Sequence, residues 1–72
     1  MTQQSVTNIS NQHYDLVSVL YHALNGAKTN DIYVHDAEQA QDQELAQFFN
    51  EVKQQEMNRA DKARELLMKR LS

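Results

Sequence analysis

Apolar residues recur at helical spacing along most of the chain. At 100° per residue, Leu16, Val17, Leu20, Leu24, Ala27 and Val34 fall on one stripe, and Leu45, Phe48, Phe49, Val52, Ala63, Leu66 and Leu67 on a second. Good helix formers (Ala, Leu, Gln, Glu, Lys and Arg) dominate from Ser10 onward, with no proline and a single glycine, Gly26. The pattern predicts an all-α chain: a helix over residues 10–41, a turn near Asp42 and a helix over residues 43–71, folded as an antiparallel two-helix hairpin. Residues 1–9, rich in Thr, Gln, Ser and Asn, read as a disordered N-terminal arm.

Local signals support these boundaries. Ser10 suits an N-cap, because its hydroxyl accepts from an otherwise unpaired backbone N–H. Ile9 and Tyr14 stand at the spacing of a hydrophobic staple, and Asp15 lies near the positive end of the helix dipole. Asp42 can cap the second helix, with Glu44 in its first turn. Asn25-Gly26 is the competing turn, since that dipeptide can end a helix. The apolar phase nevertheless runs through it, and Gly26 falls on the side opposite the stripe. The phase also continues across Asp42, so a long helix from Asp31 to Leu71, folded back at Asn25-Gly26, stays open as the alternative.

Length makes this architecture incomplete. Seventy-two residues allow one small domain, and a domain this short is marginal without disulfides, metal or oligomerisation. There is no cysteine, which excludes disulfides and thiolate metal sites. Each helix of a hairpin covers only one side of its partner's stripe, so the expected assembly is a homodimer or higher oligomer, or a complex with another protein. The N-terminus has neither the apolar core of a signal peptide nor a lipidation signal, and no apolar run reaches membrane-spanning length. These features point to the cytoplasm and away from a membrane.

The formal net charge is −3, which argues against nucleic acid as a partner. The charge is uneven: residues 1–56 hold Lys28 and Lys53 against eight carboxylates, while residues 57–72 hold five cations against Asp61 and Glu65. The basic end reads as cations favouring a helix C-terminus, on a solvated face, rather than as a phosphate-binding patch.

The stretch Asp36-Ala37-Glu38-Gln39-Ala40-Gln41-Asp42-Gln43-Glu44-Leu45-Ala46-Gln47-Phe48-Phe49 resembles the helical hairpin of small ferritin-like proteins, with an alanine-rich helix end, an aspartate cap and a Glu-Leu start. The resemblance covers roughly residues 10–71 and favours the turn at Asp42. It implies that two hairpins associate into a ferritin-like four-helix bundle. Such bundles often hold two metal ions, using a Glu from one helix and a Glu-x-x-His from the next. Here the matching segment is Glu56-Met57-Asn58-Arg59. Arg59 stands where the motif has His, and arginine cannot coordinate a metal. The first carboxylate is matched by Asp31, which is shorter than Glu.

Asp31, His35, Glu38 and Glu56 are the candidate metal ligands, for iron, manganese or zinc at a dimer centre. With the turn at Asp42, Asp31 is expected near the level of Glu56. The reading preferred here makes the same residues an ionic network without a cofactor, Glu56 pairing with Arg59 and Lys28 serving Asp31. A buried network of this kind would leave Arg59 stranded on loss of Glu56, at a cost of about 3 kcal/mol. His13 is expected on the core side and His22 in solvent. Tyr14, Tyr21 and Ile32 form a second packing edge. No Ser-His-Asp order or glycine-rich phosphate loop is present, which argues against an enzyme. The function expected is structural or regulatory protein–protein interaction.

Overall fold

A computed structural model describes residues 11–71. The N-terminal arm and the Ser10 cap lie outside the described residues. The chain forms two helices of equal length, α1 over Asn11–Gln39 and α2 over Gln43–Leu71, packed as an antiparallel hairpin. The turn is at Asp42, and Asn25-Gly26 lies within α1.

The reversal uses no glycine. Gln41 adopts the left-handed conformation, with φ of 59°. Its N–H donates to the carbonyl of Glu38 at 3.0 Å, and the N–H of Asp42 donates to the carbonyl of Ala37 at 2.9 Å. This pair of bonds is a Schellman motif, which satisfies two carbonyls that the end of α1 leaves unpaired. Asp42 then starts α2: its Oδ1 accepts from the N–H of Leu45 at 3.1 Å, and its carbonyl accepts from the N–H of Ala46 at 3.0 Å. Glu44 in the first turn and Lys69 and Arg70 in the last complement the α2 dipole.

The seam between the helices follows alternating spacings of three and four. On α1 it comprises Leu16, Leu20, Ala23, Ala27, Asn30, Val34 and Ala37; on α2, Ala46, Phe49, Lys53, Glu56, Ala60, Ala63 and Leu67. Every one of these positions is buried or half-buried. That spacing keeps a seam facing its partner along the full length of two helices. Among the described residues the buried ones are all alanines: Ala23, Ala27, Ala37, Ala46, Ala60 and Ala63.

Two sequence expectations need correction. The buried seam is narrower than the predicted stripes and rotated toward their small residues. Val17, Leu24, Leu45 and Phe48 are exposed, the last by 53%. Gly26 is not on the far side of α1. It borders the seam, where a Cβ built on it would stand 2.5 Å from Glu56 Oε2 and 3.0 Å from its Cδ. The molecule measures 50 × 23 × 16 Å. Its smallest dimension, 16 Å, has room for one helix of about 10–12 Å diameter but not for two layers, so the hairpin is a slab one helix thick with two open faces.

Candidate interaction faces and the central polar residues

The rows flanking the seam define the two faces. One position after each α1 seam residue lie Val17, Tyr21, Leu24, Lys28, Asp31, His35 and Glu38. One position before each α2 seam residue lie Leu45, Phe48, Val52, Gln55, Arg59, Lys62 and Leu66. In an antiparallel pair, shifts of opposite sign from the seam point to opposite faces. The hairpin therefore exposes an α1 row on one face and an α2 row on the other. Tyr33, one position before seam residue Val34, belongs to the face of the α2 row. Its ring lies 5.5 Å from that of Phe49, which lies 5.6 Å from that of Phe48. Tyr33 and Phe49 line a shallow notch together with Asp36.

The sequence-predicted polar residues divide between these environments. Asp31, His35 and Glu38 share the α1 row, as their spacing indicated, and all three are exposed. Asp31 accepts from Lys53 Nζ at 2.9 Å across the seam. Lys53, not Lys28, is its partner, and Asp31 sits level with Lys53 rather than with Glu56. Lys53 does not stand out in the sequence, because lysine reads as a surface residue. The signal was its place between Phe49 and Glu56 at spacings of four and three, and a long aliphatic stem can lie in a seam while its ammonium reaches solvent.

Glu56 lies beside Gly26, half-buried, and its Oε1 accepts from Arg59 Nη1 one turn along. This pairing matches the expectation. The expected burial does not hold, because the Arg59 side chain is 56% exposed and would not be stranded by loss of Glu56. Asp31 and Glu56 thus occupy different levels, each with its own cation. Among the described residues no three His, Asp or Glu side chains converge at metal-ligand distance within one chain.

The basic end of α2 is largely self-neutralised along the helix, with Arg64 on Asp61 at 3.4 Å and Lys62 on Glu65 at 3.5 Å. Arg70 donates to the carbonyl of Leu66 at 3.0 Å, closing the helix C-terminus. His22 stacks edge-on against Tyr21 in solvent, with ring centres 5.3 Å apart. His13 is half-buried at the open end. No helix among the described residues is long and apolar enough to cross a membrane.

Comparison with protein-family models, curated proteins and solved structures found no match.

Proposed function

We propose that this chain is a structural or regulatory interaction protein whose hairpin associates with a second copy into a four-helix bundle of ferritin-like architecture. One observation carries this reading. Among the described residues the hairpin buries only alanines, while twelve large apolar side chains stay exposed, among them Phe48, Leu24 and Tyr21. Single exposed apolar residues are ordinary, but rows of them at helical spacing mark interaction surfaces. Covering one Leu or Phe contributes about 1.5–3 kcal/mol, far more than a buried alanine methyl. Much of the apolar area able to stabilise a fold of this size therefore stays uncovered, and the large seam residues, such as Leu16, Leu20, Phe49 and Leu67, are only half-buried.

A dilution series tests the proposal. Melting followed by circular dichroism should shift to lower temperature as protein concentration falls, as mass action requires of an associating fold. A melting temperature constant over a hundredfold dilution would count against self-association.

A further inference from the structure

We infer that the second copy packs antiparallel on the face carrying Leu45, Phe48, Val52 and Leu66, with the turn half of each hairpin over the open half of the other. This deepens the self-association proposed above and rests on it. Two independent features point to it.

The first is charge along the rod. The turn half, residues 28–56, holds seven carboxylates against two lysines, a net charge of −5. The open half, residues 11–27 and 57–71, holds five cations against three carboxylates, a net charge of +2. These ends are separated along a 50 Å axis, several times the Debye length of about 8 Å at physiological ionic strength. A parallel pair would set −5 beside −5. An antiparallel pair sets each acidic half on a basic one, and such complementarity fixes orientation more than it adds affinity.

The second is the division of each face. The α2 row is apolar in the turn half, at Leu45, Phe48 and Val52, and turns basic in the open half, at Arg59 and Lys62, with Leu66 between that basic pair and Lys69. Glu44 and Glu51 directly precede Leu45 and Val52. With the twofold axis at the midpoint of α2, near Met57, Phe48 meets Leu66 of the second copy. Glu44 then comes level with Arg70 of that copy, and Glu51 lies close to its Lys62. One apolar pair, Phe48 on Leu66, thus sits on the row, Val52 and Leu45 lie against the aliphatic stems of Lys62 and Lys69 of the second copy, and acid meets base along the flank. The opposite face offers no such matching of acid with base. There, full antiparallel overlap would lay Val17 and Leu24 over Lys28, Asp31 and His35.

The chain has no cysteine, so a spin label can be placed at one site by Gln43→Cys, an exposed position at the start of α2. In the antiparallel dimer the two labels are separated by about 40 Å, the rise of twenty-eight helical residues at 1.5 Å each. In a parallel dimer they are separated only by the packing distance of neighbouring helices plus the label arms, under about 25 Å. Light scattering on the same labelled protein establishes its mass. A dimer with the long distance is the expected result. A dimer with the short distance overturns the orientation and leaves self-association standing; a monomer overturns both.

Charge reversal provides a second readout. Glu44→Lys with Glu51→Lys should weaken dimerisation at least tenfold by placing lysines over the basic half. Mixing that variant with Lys62→Glu/Arg70→Glu, which reverses the two cations it faces, should restore it. In a parallel pair the first variant merely exchanges one like-charge contact for another, so an unchanged dimerisation constant would contradict the proposal.

Discussion

At the level of single residues, the turn concentrates the local chemistry. Gln41 holds a left-handed φ of 59°, a conformation that costs a residue with a Cβ about 1–2 kcal/mol and suits glycine. Gln41→Gly should raise stability by about 1 kcal/mol, measured as an upward shift of the denaturation midpoint in urea with unchanged slope; a loss would mean that the Gln41 side chain contributes something the Schellman geometry does not require. Asp42→Ala should have the opposite effect. It removes the carboxylate that accepts from the N–H of Leu45, and loss of such a cap costs about 1 kcal/mol. The Asp42 cap was legible in the sequence as a preferred residue before a Glu-Leu start. The left-handed Gln41 was not, because nothing in its chemistry favours positive φ. The seam and the cap on either side impose that conformation.

The Glu56–Arg59 pair changes in weight between sequence and structure. Its spacing of three made the contact predictable. Its energy was not, because that depends on exposure, and the guanidinium stays mostly in solvent. Exposed pairs contribute from zero to about 1 kcal/mol, so Glu56→Ala should cost less than about 1 kcal/mol in equilibrium unfolding. A loss near 3 kcal/mol would restore the buried network that the sequence first indicated.

At the scale of the helices, the two periods were plain from the apolar pattern, but the face buried in the hairpin was not. Both stripes were wide, and helical phase alone does not say which side of a wide stripe meets the other helix. Small residues decide it: alanines at the seam let the backbones approach, and this turns Val17, Leu24 and Phe48 outward. The same close approach explains Gly26. A mid-helix Gly→Ala change ordinarily gains about 1 kcal/mol. Here the new methyl meets the Glu56 carboxylate, which must swing aside. Gly26→Ala alone should therefore alter stability by less than about 0.5 kcal/mol, whereas in a Glu56→Ala background it should recover the gain of about 1 kcal/mol. Additive effects in that double-mutant cycle would show that the two residues do not touch.

At the scale of the whole molecule, the slab form leaves large apolar side chains uncovered on its faces. Phe48 is the sharpest probe of it. In an isolated hairpin, with half its surface in water, Phe48→Ala should cost under about 1 kcal/mol. Covered by a second copy, it should approach the 3 kcal/mol or more typical of Phe→Ala in a core. The candidate ligands belong to this scale too. Asp31, His35 and Glu38 were correctly read as one row, but their meeting with Glu56 depended on a level that the turn geometry shifts by about one helical turn.

The central claim is that the hairpin is half of a larger helical bundle, and the most direct test is its mass in solution. Sedimentation equilibrium on the purified chain, from low micromolar to millimolar concentration, should return twice the 8.4 kDa of one copy, dissociating reversibly at the dilute end. A single species of 8.4 kDa throughout that range, still fully helical, would contradict the account.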